Sequence, residues 1–371
     1  MLAVVRMRTR VKKVLLVLKA EKANALLVWN SEGSGQPATE WLSGFTGTWS
    51  ILLITRTKRF LIADGRYTAQ SKKEAKGYKI FITSQTNSSS RILRRFVKWH
   101  KVKHILFDGT VTPYSAVEDL RKELSPVVFS SRKHILQELR IVKEKEELKL
   151  LSKAAKIACH SFTKLIPFIQ VGMTEKEIAR KLESLCLEEG ADNLAFPIIV
   201  SSGKNGAFPH AEPTEKKIRE GELITIDFGV RYKGYVSDMT RTVAVGKIAP
   251  RLFKMYEAGR IAQELGCKKA KAGITGQELD AVCRSYLARR GFGRYFTHST
   301  GHGIGTEVHE LPVASHYNGS KGKLQAGAVI TCEPGIYIPS VGGVRIEDAL
   351  ILTKKGNVNL TEKVTKKLIV L

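Results

Sequence analysis

The sequence predicts a two-domain α+β protein, with a smaller α/β domain over residues 1–133 and a larger domain over residues 134–371. The first third of the chain alternates short β-like apolar runs with helical patterns, which is typical of a small α/β domain. The remainder contains an internal repeat, in which helical segments are twice followed by β-rich segments. A length of 371 residues is compatible with two or three domains.

The composition is that of a folded, soluble protein with a large excess of positive charge. Hydrophobic residues make up 43% of the chain and charged residues 26%, which excludes a disordered polyelectrolyte. The 61 lysines and arginines exceed the 35 acidic residues by 26. Residues 1–133 alone hold 25 basic and 9 acidic side chains, so nucleic acids and acidic surfaces are the first partners to consider.

Five strands and four helices are predicted in the first domain. The strands are Ala25–Trp29, Ser50–Thr55, Phe60–Asp64, Tyr78–Thr83 and His104–Asp108, and the helices are 9–22, 66–76, 88–102 and 114–124. The run from Arg91 to Lys103 places Phe96 and Trp99 among six basic residues, as a nucleic-acid surface would. We favour an amphipathic helix that buries Ile92, Leu93, Phe96 and Val97 and exposes a basic face.

The repeat in the second domain has an offset of 101 residues. Residues 172–178, GMTEKEI, match residues 273–279, GITGQEL, and a long helix over Glu138–Ile166 precedes the first copy. In both copies a glycine is predicted to end one helix and a threonine, Thr174 or Thr275, to cap the next. Two similar halves imply a pseudo-symmetric domain with a shared interface, where sites are often built.

The first half also predicts a β-hairpin that carries two carboxylates. Asp227 ends an apolar strand, and Asp238 lies on the returning strand. Both are equidistant from a turn centred between Tyr232 and Lys233, so they are predicted to face each other. Facing like charges are destabilising unless a cation neutralises them.

The second half repeats this arrangement with Glu333 and Glu347, which are equidistant from Ser340. Asp227 therefore corresponds to Glu333, and Asp238 to Glu347. Two acidic pairs at equivalent positions of apolar strands are difficult to explain as solvated surface. We interpret them as ligands of a metal site.

Histidines near these hairpins complete a plausible ligand set. Residues 298–309 contain three histidines, and the glycines around His302 are predicted to let the backbone approach a metal. No second histidine follows His309-Glu310 at the spacing of the single-zinc helix motif. Four carboxylates and one imidazole suit two divalent ions such as Mn²⁺, Co²⁺ or Fe²⁺, with Zn²⁺ also accepted. His210, considered alone, is a loop histidine of a kind that is more often incidental.

The motifs IDFG, DMTRT, HGIGTEVHE, EPGIYI and VRIED resemble those of the pita-bread (M24-type) metallopeptidases, which include methionine aminopeptidase, aminopeptidase P and prolidase. Residues 42–47, LSGFTG, and 63–67, ADGRY, resemble the creatinase-type N-terminal domain that accompanies aminopeptidase P and prolidase. The resemblance covers nearly the whole chain. It implies a pita-bread catalytic domain preceded by a creatinase-like domain.

The resemblance also implies which residues bind metal. It assigns five ligands to two divalent ions, with Mn²⁺ preferred and Co²⁺, Zn²⁺ or Fe²⁺ as alternatives: Asp227, Asp238, His302, Glu333 and Glu347. Asp238 and Glu347 would bridge the ions, Asp227 would bind one, and His302 with Glu333 the other. A hydroxide shared by the two ions would then attack the peptide carbonyl.

Further residues match the catalytic histidines and arginine of the family. Glu333 is the implied proton shuttle, while His210 and His309 match histidines that stabilise the oxyanion and position the substrate. His298 matches a further active-site histidine of proline-directed members. Arg345 matches the arginine that orients the ligands, and Tyr337 is placed at the pocket wall by the same resemblance.

One position separates the two proline-directed activities. Prolidase-like relatives often have the motif HExPR, in which the arginine binds the free carboxylate of a dipeptide. Here residues 309–313 are HELPV, and Val313 cannot bind a carboxylate. The leading hypothesis is therefore an Xaa-Pro aminopeptidase, with prolidase as the alternative. A non-catalytic pita-bread protein that binds nucleic acid or a partner is the hypothesis of another class.

The remaining features concern the cellular compartment of the protein and its binding partners. The five cysteines contain no CxxC pair, which favours a reducing compartment, and no apolar run is long enough for a membrane span. We therefore expect a cytoplasmic protein with no membrane partner. The family resemblance implies a homodimer, and we expect no nucleic-acid partner despite the basic charge.

Overall fold

A computed structural model describes residues 2–33, 36–317 and 320–371 of the chain. The chain divides into two compact units, Met1–Leu139 and Arg140–Leu371. Residues just beyond 133, where the sequence suggested the boundary, belong to the first unit. Ile135, Leu136 and Leu139 are buried in its hydrophobic core.

The first unit is built on one mixed six-stranded sheet. Its strands are β1 (Ala25–Asn30), β2 (Ser50–Thr55), β3 (Arg59–Ala63), β4 (Lys79–Ile82), β5 (His104–Asp108) and β6 (Val128–Arg132). The strand order is β4-β3-β2-β1-β5-β6. β1, β2 and β3 pair antiparallel, whereas β1–β5, β3–β4 and β5–β6 pair parallel.

Helices cover both faces of this sheet, as the predicted α/β domain requires. They are α1 (Leu2–Ala20), α2 (Pro37–Ser43), α3 (Thr68–Glu74), α4 (Ser89–Trp99), α5 (Tyr114–Glu123) and α6 (Ile135–Glu138). Leu26 and Val28 of β1 enter one hydrophobic cluster, while Ala25 and Leu27 enter another. Because successive side chains of a strand point to opposite faces, this alternation shows that both faces are buried.

All five predicted strands of this unit are present, each within one residue of its predicted ends. The sequence did not predict α2, α6 or β6, which are short or half-exposed elements without a clear apolar period. The predicted amphipathic helix at 88–102 is confirmed as α4, which ends earlier, at Trp99. Ile92, Leu93 and Phe96 are buried, Val97 is half-buried, and Trp99 is 63% exposed.

The second unit contains four helices and thirteen strands among its described residues. The helices are α7 (Lys145–Leu165), α8 (Glu175–Glu188), α9 (Pro250–Lys269) and α10 (Gly276–Arg289). The strands of the first half are β7 (Asn193–Leu194), β8 (Ile199–Ser202), β9 (Leu223–Phe228), β10 (Val230–Tyr232), β11 (Tyr235–Val236) and β12 (Met239–Ala244). Those of the second are β13 (Gly301–Gly303), β14 (Glu310–Ala314), β15 (Val329–Cys332), β16 (Gly335–Ile338), β17 (Gly342–Arg345), β18 (Asp348–Leu352) and β19 (Asn357–Asn359).

The internal repeat is confirmed at the level of backbone geometry. Gly172 and Gly273 have φ angles of 92° and 93°, a left-handed conformation that favours glycine. Thr174 and Thr275 cap α8 and α10 through capping boxes with Glu177 and Glu278. Each half also has its own principal hydrophobic cluster, with α7 and α8 in the first and α9 and α10 in the second.

The long helix that precedes the repeat starts later than predicted. The prediction placed its beginning at Glu138, but α7 begins at Lys145, where Glu144 and Glu147 form a capping box. The backbone N–H of Lys143 donates to Gly327 at 3.0 Å, and its side chain pairs with Glu310 at 2.5 Å. These tertiary contacts hold the segment before α7 in a non-helical conformation.

Two further features concern the cysteines and the lengths of the helices. All five cysteines are free, and four of them are buried: Cys159, Cys186, Cys283 and Cys332. Within the described ranges, no helix has both the length and the apolar character needed to cross a membrane.

The repeat predicts that Thr275 caps α10, and a substitution at this residue tests that prediction. Thr275 Oγ1 accepts a hydrogen bond from the backbone of Glu278 at 3.1 Å. Thr275→Ala leaves that N–H without its acceptor, so we expect the free energy of unfolding to fall by about 1 kcal/mol. Urea unfolding followed by circular dichroism measures the change. Thr275→Ser retains the hydroxyl and is the control; equal stability of the Ala and Ser variants would contradict the assigned cap.

Candidate metal centre

The first carboxylate hairpin is present, but its predicted turn is wrong by one residue. Tyr232 of β10 pairs with Tyr235 of β11, so the turn consists of Lys233 and Gly234. Their φ angles are 47° and 80°, as in the two-residue turns that match the twist of a hairpin. The sequence placed the centre one residue earlier, between Tyr232 and Lys233.

This shift changes which residues face each other. Asp227 lies opposite Thr240, not opposite Asp238 as predicted. Asp238 precedes Thr240 by two residues, which keeps it on the same side as a diagonal neighbour of Asp227. The two carboxylates remain close enough for the charge of Asp227 to help raise the pKa of Asp238. The predicted facing pair is therefore wrong, but the predicted clustering of the two charges is retained.

The second hairpin has the predicted register. Cys332 pairs with Asp348, and Gly335 with Arg345, on either side of Glu333 and Glu347. These two observed pairs are symmetric about Ser340, as Glu333 and Glu347 are. The register therefore places Glu333 opposite Glu347, as predicted. Ser340 has a φ angle of 64°, which reverses the chain at that midpoint.

Backbone and hydroxyl contacts join the two hairpins. The N–H of Glu347 donates to the carbonyl of Thr240 at 3.0 Å, and Thr240 Oγ1 donates to Glu347 Oε2 at 2.7 Å. Thr242 Oγ1 donates to the carbonyl of Arg345 at 2.9 Å. The carboxylates from the two halves of the repeat consequently meet at one point.

The meeting point contains a group of possible ligand atoms. One atom each of Asp238, His302 and Glu347 lies within 4.8 Å of the others. His302 Nε2 lies 3.2 Å from Glu333 Oε1 and 3.7 Å from Asp238 Oδ2. Asp227 adjoins this group, since its charge raises the pKa values of both Asp238 and Glu347.

The electrostatics of the site reflect many acidic groups in a small buried volume. Burial, followed by the charge of Asp227, raises the pKa of Asp238; burial, followed by Asp238, raises that of Glu347. Burial alone would raise the pKa of Glu333, but the hydrogen bond and charge of His302 outweigh it and lower the pKa to about 2. The same pair raises the pKa of His302 to about 9 against the opposing effect of burial.

The donor set fits divalent metal ions. Asp227 Oδ1 and Glu347 Oε1 are buried and have no hydrogen-bond partner among the described residues. A buried carboxylate oxygen without a partner is costly, and a cation removes that cost. Carboxylates combined with one imidazole are a ligand set for Mn²⁺, Fe²⁺, Co²⁺ or Zn²⁺. These residues therefore have the chemistry that the sequence predicted for metal ligands.

Arg345 is the main cation beside the carboxylates. It forms an ion pair with Asp227, and its Nη1 donates to Tyr337 Oη at 2.6 Å and to the carbonyl of Pro209 at 3.1 Å. Its Nε donates to Thr240 Oγ1 at 3.2 Å. Arg345 thus contacts one predicted ligand directly and a second through Thr240.

His298 is attached to this arginine through Tyr337. Its Nδ1 lies 2.8 Å from the carbonyl of Ser299, and its Nε2 lies 2.9 Å from Tyr337 Oη. A carbonyl only accepts, so Nδ1 carries the hydrogen, and a neutral ring then accepts at Nε2 from the tyrosine hydroxyl. Burial is the main cause that lowers the pKa of His298 and keeps the ring neutral.

His210 and His309 are both exposed and lie beside the same group of residues. The His309 ring is 4.3 Å from the ring of His302, centroid to centroid. His210 follows Pro209, whose carbonyl is bound by Arg345, and its charge helps lower the pKa values of His298 and His309. The structure therefore brings all the predicted site residues into one neighbourhood.

The glycines beside His302 meet a steric requirement that the sequence did not predict. A Cβ on Gly301 would lie 2.0 Å from the carbonyl oxygen of Thr331, and one on Gly303 would lie 2.4 Å from that of Leu311. Glycine is needed at these positions because neighbouring strand backbones approach closely. That these glycines also let the backbone approach a metal stays a prediction.

The sequence did not predict a role for two threonines whose hydroxyl groups donate hydrogen bonds to the carboxylates. Thr240 donates to Glu347, and Thr331 Oγ1 donates to Glu333 Oε1 at 3.2 Å while accepting from the N–H of His302 at 3.0 Å. Each lies two residues from a predicted ligand, Asp238 or Glu333, and so is on the same side of its strand. This separation of two residues from a predicted ligand is the sequence feature that could have identified both threonines.

Comparison with known proteins finds matches to both domains of the chain. A family model described as metallopeptidase family M24 matches residues 149–354, and one described as the creatinase/prolidase N-terminal domain matches residues 10–142. An uncharacterized peptidase of Bacillus subtilis is 42% identical over 339 residues, which are 89% of this chain and 92% of that protein.

Two solved structures resemble the chain over nearly its full length. An Xaa-Pro dipeptidase from Bacillus anthracis has a TM-score of 0.92 and 36% identity, covering 98% of this chain and 100% of that one. An X-Pro aminopeptidase from Thermotoga maritima has a TM-score of 0.86 and 35% identity, covering 94% and 98%. The predicted fold, a creatinase-type domain followed by a pita-bread domain, is confirmed.

A substitution at Asp238 tests the metal centre. Asp238→Asn removes a buried negative charge next to like charges, so the metal-free protein should fold and lose no stability. Stabilisation by Mn²⁺, about 2.7 kcal/mol at a concentration one hundred times the dissociation constant, should disappear. Thermal unfolding with and without Mn²⁺, together with elemental analysis, measures this. Glu212→Gln, at an exposed carboxylate near His210, is the control; full Mn²⁺ stabilisation of Asp238→Asn would contradict the ligand assignment.

Proposed function

Because this chain belongs to metallopeptidase family M24 and carries a creatinase/prolidase N-terminal domain, we propose that it is an Xaa-Pro aminopeptidase. The proposed reaction is hydrolysis of the bond between an N-terminal residue and a following proline. The observation that carries the proposal is the grouping of Asp238, His302 and Glu347 within 4.8 Å, beside Asp227 and Glu333.

These five residues would hold two divalent ions, and we propose Mn²⁺ as the preferred metal. When bound, the ions would supply an activated water and polarise the peptide carbonyl. Asp238 and Glu347, which come from different halves of the repeat, would hold both ions. Asp227 would hold one of them, and His302 with Glu333 would hold the other.

Glu333 is the proposed proton carrier. The hydrogen bond and charge of His302 lower the pKa of this carboxyl to about 2, so it is ionised at neutral pH. Its Oε1 accepts from Thr331 and adjoins His302, so the carboxylate is held in one orientation. We propose that it takes a proton from the attacking water and delivers it to the departing proline nitrogen.

His210 and His309 are the proposed substrate contacts. Both rings are exposed, and they adjoin His298 and His302, which are held inside the site. Two exposed imidazole rings beside the site suit an oxyanion that develops on the substrate carbonyl, because their N–H groups can donate hydrogen bonds to it. His298 instead acts on Tyr337, and through it on Arg345, which keeps Asp227 in place.

Val313 is the proposed determinant of substrate length. It pairs with His302 across β13 and β14, so both side chains project from the same face of the sheet. A half-buried valine cannot bind the carboxylate of a dipeptide, whereas it leaves room for a chain that continues after proline. This favours peptides longer than two residues.

An Xaa-Pro dipeptidase is the second candidate, because a protein of that name from Bacillus anthracis has the higher TM-score of the two solved structures described above. The homodimeric state and the cytoplasmic location are further proposals, which rest on the family resemblance and on the five free cysteines.

A peptide panel distinguishes the two candidates. With Mn²⁺ present, we expect kcat/KM for Xaa-Pro-Yaa peptides to exceed that for Xaa-Pro dipeptides at least about tenfold, equivalent to 1.4 kcal/mol. Peptides with alanine in place of proline are the control for proline specificity. A preference for dipeptides would favour the second candidate, and no cleavage of either class would contradict the proposal.

Val313→Arg should shift the preference towards dipeptides. A guanidinium at this position would pair with the free carboxylate that a dipeptide presents next to the site. We expect the ratio of dipeptide to tripeptide kcat/KM to rise about tenfold or more. Val313→Gln, which is long but uncharged, is the control. An equal ratio in the Arg and Gln variants would show that Val313 does not set substrate length.

A further inference from the structure

Each half of the repeat contains a buried carboxylate that the proposed mechanism does not use. Glu175 begins α8, and Asp280 lies in the first turns of α10, the equivalent helix of the second half. Both residues are buried. Burying a charged group is costly, so the contacts of these carboxylates need an explanation.

Asp280 holds the segment that leads from α10 into β13. Its Oδ1 accepts from the N–H of Thr300 at 3.1 Å and from Thr300 Oγ1 at 2.9 Å. Arg284 donates to both oxygens of Asp280, at 2.7 Å from Nε and 3.0 Å from Nη2. The carboxylate is thus bonded to the loop on one side and to its own helix on the other.

Arg284 extends this anchor along the same segment. It donates to the carbonyl of Phe296 at 2.9 Å and to that of His298 at 2.8 Å, and its guanidinium lies 4.2 Å from the centroid of the Phe296 ring. Residues 296–300 form no regular secondary structure. Side chains of α10 therefore bind three of their backbone groups, the carbonyls of Phe296 and His298 and the N–H of Thr300.

The anchored segment contacts the proposed site through two of its residues, His298 and Thr300. His298 lies within it and reaches Tyr337. The carbonyl of Thr300 accepts from the N–H of Glu333 at 2.8 Å, so the backbone of the proposed proton carrier is tied to the residue that Asp280 binds. A displacement of Thr300 would therefore move His298 and Glu333 together.

Glu175 makes an equivalent set of contacts in the first half. Five donors converge on it, within 2.7 to 3.2 Å: Ser202 N and Oγ, Asn205 Nδ2, and Thr214 N and Oγ1. Ser202 and Thr214 mark the two ends of the loop that carries His210. In the described part of the chain no lysine or arginine pairs with Glu175, so the hydrogen bonds alone stabilise its charge.

We propose that Glu175 and Asp280 are positioning residues of the proposed peptidase, each fixing the loop that presents one active-site histidine. Glu175 holds the loop of His210, and Asp280 with Arg284 holds the segment of His298 and the backbone of Glu333. This inference rests on the proposed function. Its physical basis is that reacting groups must be held to within a fraction of an ångström, which buried charge-assisted hydrogen bonds achieve.

The test compares these two carboxylates with two others on the same helices. Glu175→Gln and Asp280→Asn each replace an acceptor oxygen by a donor and leave loop N–H or O–H groups unbound. We expect kcat to fall on the order of 10- to 100-fold with KM largely unchanged. The controls are Glu177→Gln and Glu278→Gln, which alter the capping boxes of α8 and α10 and should retain wild-type kcat.

Hydrogen–deuterium exchange of the metal-free proteins gives a readout other than activity. Asp280→Asn should accelerate exchange in residues 296–302 and at the Glu333 amide, and Glu175→Gln should do so in residues 202–214. If either variant fails to fold, Thr300→Val removes the hydrogen bond from the Thr300 hydroxyl to Asp280, and Thr214→Val removes the one from the Thr214 hydroxyl to Glu175 together with those that this hydroxyl accepts from Asn205 and Lys216. Thr300→Ser and Thr214→Ser keep those hydrogen bonds and should restore wild-type kcat and exchange.

The outcomes separate the inference from the function on which it rests. Wild-type kcat in both carboxylate variants, or equal losses in the test and control variants, would overturn the positioning role. Faster exchange across the whole second unit would also overturn it, since that result indicates general destabilisation. A wild-type protein without activity on any Xaa-Pro peptide would refute the proposed function, while local exchange would still show whether the two carboxylates order their loops.

Discussion

The interaction on which the site depends is repulsion among carboxylates that the fold buries together. Burial and mutual charge raise the pKa values of Asp238 and Glu347, so the metal-free arrangement is electrostatically unfavourable. Arg345 and Thr240 supply hydrogen bonds to Asp227 and Glu347, but one oxygen of each carboxylate has no partner among the described residues. A divalent cation satisfies those oxygens and neutralises the charges, and this requirement links the fold to its chemistry.

The pseudo-symmetric architecture meets this constraint by dividing the ligands between two halves. Each hairpin contributes two carboxylates, and contacts such as the one from the Glu347 amide to the Thr240 carbonyl bring the hairpins together. The loops that surround them carry His210 and His298, and these loops have little regular structure of their own. Side chains of α8 and α10 bind them, so the helices of the repeat contribute to the order of the site as well as to the hydrophobic cores.

Much of this could be predicted from local sequence, and the failures have specific physical causes. The register of the second hairpin followed from symmetric spacing about Ser340. The register of the first hairpin was predicted wrongly because its turn consists of Lys233 and Gly234, which both have positive φ angles. The start of α7 was misjudged because Lys143 is held by Gly327 and Glu310, which are distant in sequence. The sequence predicted no role for Asp280 and Arg284, since their partners lie in a loop without a periodic pattern.

The sequence by itself determined the two-domain α+β class, the internal repeat and the chemical identity of the predicted ligands. These features depend on residue type, on period and on spacing, all of which are local. Only the tertiary structure decided that Asp227 lies opposite Thr240, that Glu333 is bonded to His302, and that the glycines beside His302 accommodate neighbouring strands. Such relations join segments that are far apart in the chain, and their energies arise only when packing brings those segments into contact and excludes water from between them.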